Sequence, residues 1–559
     1  MSSRLSSELS RRSVFRAIGL GATAVAVPSL ISACGDGSSG GGVGNAGTEQ
    51  AAWPTYTAAK VPTPDLPGDG NDVQNGYTKY PSEVGNATSG KPGDGSVVKA
   101  VVITYGTPPG PKETNKFLQA VNEALGIDLQ LTVVPDADYQ AKMATLMAGD
   151  DLPDIMNIGG GYILPREADF VASKCADLSE FLSGDAVKAY PNLANIPTRA
   201  WKDMGRVKGR IMGVPVERPA PGNIFFANRE MWKGAGVDEA AFTSGSWTSS
   251  DLLTAAKALT KNKKYALGAS KSGNFGLGVH APAWGAPNLW KNDGTSFVSY
   301  FATPEFKQAV AFMRDLYAAG VYYPDALTVS QVDAKTQFAG QITGSLTDGF
   351  GAYSSMIPAA KGAYTVAPAL PYVGGSAGGK LFAARSVFGY TVLKKAAPDR
   401  IKLLLRVLDF LAAPFGTKEY ELIHYGVEGA HFTRDAAGNP VQTDLWKGGE
   451  NKTNLPITYL CDAPQVLFYP GVSPDAIALM HAFEKKTAPN LVRNPAYGLV
   501  SDTASKSEAA IRKTITDVLN AVVMGRSSLD DWDAAVKRYK ADGGDKIGEE
   551  YAKEYAASK

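Results

Sequence analysis

Aromatic side chains at predicted loop positions are the residues of this chain best suited to bind a ligand. The sequence has 8 Trp and 24 Tyr, more than a core needs, since both types carry a polar tip that requires a partner when buried. An aromatic face can stack on the C–H face of a sugar ring, and a few polar groups can bind its hydroxyls. We therefore predict a ligand-binding site formed by Tyr105, Tyr162, Trp284, Trp290, Phe350, Tyr353, Glu428 and His431.

Several of these residues also have a purely structural interpretation. Tyr105 and Phe350 could cap strand ends, and Trp290 could pack in a core. Glu428 could hold a glycine turn, and His431 could be a buried histidine with satisfied hydrogen bonds. Loops carry function more often than the elements they connect, so we keep the binding role as the prediction.

Two short patterns that are associated with catalysis do not fit their context. Residues 374–378 match G-x-S-x-G and residues 374–380 match G-x-x-x-x-G-K. A nucleophile elbow needs a strand before it, but Pro368 and Pro371 precede this stretch. A phosphate loop needs Ser or Thr after the lysine, and Leu381 stands there. We interpret the stretch as a surface loop and predict no catalytic residues.

The charge composition argues against a nucleic-acid partner. The chain has 56 Lys+Arg against 55 Asp+Glu, so it has no basic excess to neutralise phosphates. Its 4 His show no zinc-site spacing. We predict neither a metal nor another cofactor.

The first 34 residues have the order of a bacterial export signal. A twin-arginine start at Arg11 and Arg12 precedes an apolar run over 17–27, and a lipobox-like stretch ends at Cys34. This order is typical of targeting segments. We predict a signal peptide over 1–34, a lipid on Cys34 that anchors the chain in the membrane, and a location on the extracellular face. The alternative is a plain membrane anchor, but the run falls short of the ~20 residues that a span needs.

The two other cysteines, Cys175 and Cys461, leave two alternatives open. They could form a disulfide in an oxidising compartment, or both could be buried free thiols.

Residues 35–96 are predicted to be a tether followed by an extended arm. The tether is rich in Gly and Ser, and the arm is rich in Pro, Gly, Thr and Tyr without periodicity. Disorder is one interpretation of such a composition. Four aromatic residues favour docking of the arm on the folded surface: Trp53, Tyr56, Tyr77 and Tyr80.

Strand and helix patterns alternate from residue 97. Residues 97–105, 127–133 and 154–158 have strand patterns, and helical spacing lies between them. Gly126 is predicted to end the first helix and Asp138 to cap the second. This alternation predicts a parallel α/β sheet, in which ligands bind beyond the carboxyl ends of the strands. Further helices are predicted to begin at 249–251 and after Thr303, and over 399–411, 474–483, 505–524, 529–541 and 547–556.

Six short motifs occur in an order that resembles the extracellular solute-binding lipoproteins of ABC importers. The resemblance is to the large carbohydrate binders among them, which include oligosaccharide and alginate-fragment binders. It spans roughly 97–559, and the motifs lie at 147–155, 209–215, 246–248, 284–290, 425–433 and 529–532.

The resemblance implies an α/β clamshell of two lobes, each a mixed sheet flanked by helices, with a helical C-terminal region. The first lobe would comprise 97–218 and 338–386, and the second 222–335 and 387–559. The chain would cross between lobes near 216–222, 336–342 and 384–388.

The resemblance also implies a function. A monomer would capture an oligosaccharide by hinge closure and deliver it to ABC permease subunits, without acting as an enzyme. The stretch 260–265 departs from the alginate-binding branch: it has lysines where a calcium loop has carboxylates, so neither calcium nor a uronate preference is inherited. A surface carbohydrate-active enzyme, a sensor or chaperone lipoprotein, and a binder of peptides or other solutes remain as alternatives.

Overall fold

Strands and helices alternate from Val97 to Gly159, and runs of consecutive helices follow further along the chain. The computed structural model describes residues 43–82, 84–159, 162, 164–377, 379–450 and 455–558, so the predicted signal segment with Arg11, Arg12 and Cys34 lies outside the described residues. The strands are β1 (Val97–Thr104), β2 (Asp128–Pro135), β3 (Ile155–Gly159), β4 (Val214–Glu217), β5 (Asn223–Asn228), β6 (Trp290–Asn292), β7 (Phe297–Ser299), β8 (Ser345–Gly349), β9 (Val366–Ala369), β10 (Leu381–Phe382), β11 (Val387–Leu393), β12 (Phe432–Arg434), β13 (Pro440–Gln442) and β14 (Leu491–Val492). The α-helices are α1 (Lys116–Leu125), α2 (Asp136–Ala148), α3 (Glu167–Lys174), α4 (Ser179–Leu182), α5 (Pro191–Ala194), α6 (Thr198–Met204), α7 (Arg229–Gly234), α8 (Glu239–Ser244), α9 (Ser249–Leu259), α10 (Leu277–Ala283), α11 (Pro304–Ala318), α12 (Gln331–Ala339), α13 (Tyr353–Ala360), α14 (Pro398–Leu411), α15 (Lys418–Tyr425), α16 (Pro474–Thr487), α17 (Asp502–Val523), α18 (Leu529–Tyr539) and α19 (Asp545–Ser558).

A five-stranded sheet in the order β2-β1-β3-β11-β4 forms the first lobe. β1 is parallel to β2 and β3, as predicted, whereas β11 is antiparallel to β3 and β4, so the sheet is mixed. Val98 and Val102 pack with α1 and α14 on one face, and Val101 and Ile103 pack with α2 and α3 on the other. Burial on both faces explains why β1 is almost continuously apolar.

A pair of glycines allows β3 and β11 to approach each other. Gly159 has φ of 129°, and a Cβ at this residue would lie 2.6 Å from the Cα of Gly389. A Cβ at Gly389 would in turn lie 2.3 Å from the carbonyl oxygen of Ile158. A side chain at either position would separate the strands, so β11 joins the sheet only because both residues are glycine.

The second lobe contains the sheet β8-β5-β9, in which β5 is antiparallel to both neighbours. A parallel bridge from Tyr265 to Thr343 extends it next to β8, so this sheet is also mixed. Helices α9, α10, α11, α17 and α18 contribute to one apolar core, and α12, α13 and α16 contribute to another. The predicted helical C-terminal region is therefore present as α16 to α19. Among the described helices, none combines the length and hydropathy that a membrane span requires.

The chain passes between the two sheets at three places. β4 ends at Glu217 and β5 begins at Asn223; β10 ends at Phe382 and β11 begins at Val387. Crossings near 216–222 and 384–388 are expected from the sequence. The third runs from Cys461 in the first-lobe core to Leu467 in the second-lobe core. The predicted crossing at 336–342 instead lies inside the second lobe, in the turn from α12 to β8.

The strand pairings also correct the predicted lobe segments. β8 and β9, within the stretch 338–386 assigned to the first lobe, pair with β5 of the second. β11 and α14, within the stretch 387–559 assigned to the second lobe, belong to the sheet and core of the first. Local patterns identify a strand but not its partner, which is chosen by tertiary packing.

The arm docks on both lobes. Tyr77 and Tyr80 are buried in a cluster with Phe415, and the Arg206 guanidinium lies 3.6 Å from the Trp53 ring centroid. Tyr56 is the exception among the four predicted docking aromatics, with 44% exposure. The beginning of the arm is tied to the last helix, because the backbone N–H groups of Asn45 and Ala46 donate to the Glu554 carboxylate at 2.9–3.1 Å.

Helix ends agree with the predicted caps in two cases and differ in two. Gly126 ends α1 with φ of 65°, and Thr303 caps α11. Asp138 lies inside the first turn of α2. The cap of α9 is Thr248, which precedes the predicted 249–251: it forms a reciprocal capping box with Asp251.

The two remaining cysteines, Cys175 and Cys461, are both buried free thiols. Cys175 packs in the core on one face of the first sheet and Cys461 in the core on the other. The sheet therefore separates them, and of the two predicted alternatives the structure has the unpaired one. Burial raises the pKa of the Cys175 thiol to about 12.

Glu484 on α16 supplies a prediction about stability and pH. It is fully buried and accepts a hydrogen bond from the N–H of Gln74 in the arm at 3.0 Å. Burial raises its pKa to about 8, a shift that the neighbouring Asp69 and Glu217 support and the Gln74 N–H and Arg199 oppose. The folded state therefore favours the protonated acid, and wild-type stability from this group is lost as the pH rises from the ordinary value of about 4.3 through about 8.

We expect Glu484→Gln, which mimics the neutral acid, to become progressively more stable than wild type as the pH rises. Urea unfolding at about pH 5 and about pH 8 should show the difference in unfolding free energy increase by about 1 kcal/mol or more. Equal differences at the two pH values would contradict a raised pKa at Glu484.

Candidate functional site

A cavity of about 690 Å³ lies where the first two crossings join the lobes. Its walls come from the ends of β4, β8, β10 and β11 and from the first turn of α10. Ligands bind preferentially in such clefts between sheets and domains. The lining residues are Arg218, Pro219, Pro221, Gly222, Asn223, Leu277, Gly278, Asn288, Leu289, Tyr300, Asp348, Gly349, Phe350, Gly351, Ala352, Phe382, Ala383, Ala384, Arg385, Phe388, Tyr459, Gln465 and Tyr497.

The first lobe contributes an aromatic wall to this cavity. Phe388 and Tyr459 stack with their ring centroids 4.4 Å apart and a 23° angle between planes. Tyr105 meets both rings edge-on, at 6.0 and 6.2 Å, and is 45% exposed. The three rings thus form a surface next to the cleft, with Tyr105 at its solvent side.

The second lobe and the crossings contribute four more aromatic residues to the lining: Phe350 after β8, Phe382 at the end of β10, Tyr300 and Tyr497. Phe382 and Tyr497 are half-buried, whereas Phe350 and Tyr300 are each 4% exposed and pack mainly in the apolar cores of the second lobe. Rings from both lobes therefore line one cavity, which allows a flat ligand to contact both lobes at once.

Polar groups of the cavity are held in place by the backbone around them. The Asn288 side-chain amide donates to the carbonyl oxygens of Ala383 and Val492 at 2.8 and 2.9 Å. Asp348 is paired with Lys335 at 3.1 Å. The remaining charged residues of the lining are Arg218 and Arg385, one on each of the first two crossings.

Of the eight predicted site residues, Phe350 lines the cavity and Tyr105 flanks it through Phe388 and Tyr459. Tyr162 lies in the first lobe, where its hydroxyl donates to the Asp136 carboxylate and its ring lies 5.5 Å from that of Tyr139. Tyr162 is not part of the cavity lining.

Three predicted aromatics of the second lobe pack within it instead of lining the cavity. Trp284 covers Gly374, where a Cβ would lie 2.7 Å from its ring. Trp290 is buried edge-on against Tyr551 at 5.4 Å. Tyr353 is buried and stacks on Phe226 at 5.9 Å. These large rings gain more from burial in the core than from an exposed loop position.

Glu428 and His431 have structural environments. Glu428 is exposed and paired with Arg434 at 3.1 Å. His431 is fully buried: its Nδ1 accepts from the Val427 N–H at 2.9 Å, and its Nε2 is 3.0 Å from the Glu450 carboxylate. His431 therefore has the environment of its structural interpretation, whereas Glu428 pairs with Arg434 and not with the glycine turn.

Glu450 links His431 to helix α1. It also accepts the N–H of Phe117 in the first turn of α1 at 2.9 Å. Burial opposes ionisation of Glu450, but these hydrogen bonds outweigh it and hold its pKa below the usual value. The motif around 425–433 therefore anchors α1.

Sequence reasoning missed Phe388, Tyr459 and Tyr497. Phe388 belongs to β11, where it resembles any apolar strand residue. Tyr459 immediately precedes the third crossing, which the sequence analysis placed elsewhere. The motif at 284–290 reaches the cavity through Asn288 and Leu289. Pro464, within the third crossing, is the local signal that could have pointed to it.

Residues 107–416, more than half of the chain, match the family model of the bacterial extracellular solute-binding proteins. Two curated relatives come from Bacillus subtilis (strain 168). The polygalacturonan/rhamnogalacturonan-binding protein YtcQ is 22% identical over 494 residues, which is 85% of this chain and 94% of its own. Lipoprotein LipO is 23% identical over 510 residues, which is 86% of this chain and 95% of its own.

A solved structure has the same two-lobed fold. The N-glycan transport solute binding protein NgtS from Streptococcus pneumoniae superimposes with a TM-score of 0.59 at 18% identity, over 82% of this chain and 98% of that one. The likeness at this identity is one of fold.

The environment of His431 predicts a stability effect without a binding effect. His431→Leu removes the partner of the buried Glu450 carboxylate, so we expect a loss of about 1–3 kcal/mol in unfolding free energy. Denaturant titration measures it, and ligand affinity of the folded fraction should be unchanged. Unchanged stability with lost affinity would instead place His431 at the ligand.

Proposed function

The chain belongs to the bacterial extracellular solute-binding proteins, and we propose that it is the subunit of an ABC importer that captures an oligosaccharide. The observation that carries the proposal is the cavity between the lobes, with aromatic rings from both sides. The names of YtcQ and NgtS, which refer to polygalacturonan/rhamnogalacturonan binding and to N-glycan transport, support this ligand class.

Capture would work by hinge closure around the cavity. A ligand that contacts both Phe388 of the first lobe and Phe382, which packs against the core of the second, favours the closed state by its differential affinity for that state. Domain closure around a ligand is a known property of such two-lobed binding proteins. The closed, monomeric form would then deliver its cargo to the permease subunits.

The composition of the cavity supports binding rather than hydrolysis. A glycosidase uses two carboxyl groups about 5–10 Å apart. Among the described residues that line the cavity, Asp348 is the one carboxylate, and it is paired with Lys335. The surface of the cavity therefore offers contacts to a sugar but no acid–base pair.

A screen over oligosaccharides tests the proposal. A bound ligand at a hundred times its Kd adds about 2.7 kcal/mol to stability, so a rise in Tm identifies it, and calorimetry then gives the Kd. We expect Tyr459→Ala to weaken binding of that ligand by about tenfold, because it removes one ring of the Phe388–Tyr459 wall.

The matched control is Tyr317→Ala, which removes a ring with 37% exposure on α11, outside the cavity lining. Its affinity should equal that of wild type. Equal losses in the two variants, or a panel in which no oligosaccharide raises the Tm, would contradict an oligosaccharide site in this cavity.

We also propose that the protein is exported through its twin-arginine segment and anchored by a lipid on Cys34, on the extracellular face of the membrane. Its similarity to a protein named as a lipoprotein, LipO, supports the anchor, and so does the order of residues 1–34.

Fractionation of cells tests the anchor. We expect Cys34→Ala to release the exported protein from the membrane fraction, since no site for the lipid remains. Arg11→Lys with Arg12→Lys should retain it in the cytoplasm. Cys175→Ala is the matched cysteine control and should remain membrane-bound. A Cys34→Ala protein that stays with the membrane would refute lipid anchoring.

A further inference from the structure

The central cavity holds two guanidinium groups in defined positions. Arg218 donates to the carbonyl oxygen of Glu217 at 2.8 Å, and its Cζ lies 4.8 Å from the Phe388 ring centroid. Arg385 donates twice to the carbonyl oxygen of Asp203, at 3.1 and 3.0 Å. Both charges are therefore fixed by neutral groups, and both belong to crossings rather than to one lobe.

No carboxylate of the described residues forms an ion pair with either guanidinium. The Asp203 carboxylate accepts from the Ser386 N–H at 2.8 Å, and Asp348 is paired with Lys335. Arg199 and Arg400, by contrast, pair with Glu217 and with Asp154, the latter at 2.9 Å, whereas Arg206 lies against the Trp53 ring and donates to Gln50. Glu167 interacts electrostatically with Arg385 but forms no ion pair with it, so among the described residues both cavity guanidinium groups are without an ion-pair partner.

Closure of the lobes makes such charges costly. Removing a charge from water is unfavourable unless an opposite charge or hydrogen bonds replace the water. A neutral sugar supplies hydroxyls, whereas a carboxylate supplies two oxygens in one plane that match the guanidinium fork. A ligand with carboxylates would therefore form ion pairs with both guanidinium groups when the lobes close.

We propose, on the basis of the proposed function, that the captured oligosaccharide is acidic and carries uronic acid carboxylates that bind Arg218 and Arg385. The absence of a calcium-type loop at 260–265 does not bear on this, because the positive charge comes from the crossings and needs no metal. Arg218 and Arg385 are then the residues that determine specificity for charge.

Three probes separate charge from shape in a calorimetric titration of the exported chain. The probes are α-1,4-linked trigalacturonate, its fully methyl-esterified form and neutral maltotriose. We expect trigalacturonate to bind, the ester to bind about tenfold or more weakly, and trigalacturonate affinity to fall as salt rises from about 50 to about 500 mM.

Substitutions of the two arginines then test whether they are responsible for binding the charged ligand. Arg218→Gln and Arg385→Gln should each weaken trigalacturonate binding by about tenfold or more, and the lysine variants, which keep the charge, should recover part of it. Arg538→Gln is the matched control, since Arg538 pairs with Asp542 at 3.3 Å in a solvent-exposed pair. If a glutamine variant fails to fold, the comparison with the methyl ester and the salt dependence, both measured on wild type, still test whether the ligand is acidic.

The outcomes distinguish this inference from the function on which it rests. Equal affinity for the ester and for trigalacturonate, or unchanged binding in both glutamine variants, would overturn the acidic ligand and leave the oligosaccharide site intact. Tighter binding of a sulfated trisaccharide than of trigalacturonate would overturn the carboxylate assignment. Failure of every oligosaccharide, neutral or acidic, would overturn the proposed function itself.

Discussion

One buried carboxylate fixes the geometry on which the rest of the structure depends. Glu217 ends β4 at 2% exposure and pairs with Arg199, which also donates to the carbonyl oxygen of Arg218 at 3.0 Å. The second carboxylate oxygen of Glu217 accepts a hydrogen bond from the N–H of Gln465 at 3.2 Å. Two crossings are thereby held side by side. Loss of one partner would leave a buried charge unpaired, which typically costs about 3–5 kcal/mol, so this cluster defines the axis about which the lobes are joined.

The elements of the first lobe could be predicted from local patterns, but the composition of the lobes could not. β1 and β2, the apolar spacing of α1 and the glycine after α1 all follow from residues that are close in sequence. The exchange of β8 and β11 between lobes follows from pairings across more than a hundred residues, such as Val392 with Met156. A strand that is apolar on both faces fits either sheet, because propensity describes a surface and not a partner.

Local sequence patterns were also insufficient to predict which side chains line the cavity. The loop 284–290 does reach the cavity, but through Asn288 and Leu289, while Trp290 turns inward to Tyr551. A tryptophan buries more apolar area than any other residue, and packing in the lobe competes with exposure to a ligand. Phe388 and Tyr459 became a binding surface only because β11 and the third crossing come together, which no single segment encodes.

The contact between the beginning of the arm and α19 brings the two ends of the folded body together. Asn45 lies on Glu554, about one helical turn before the end of α19 at Ser558. Neighbouring ends of this kind permit circular permutation. With a short glycine linker joining them, new termini could be placed at the exposed tip of the β12–β13 hairpin, and reporter domains could be fused there without cutting any strand of either sheet.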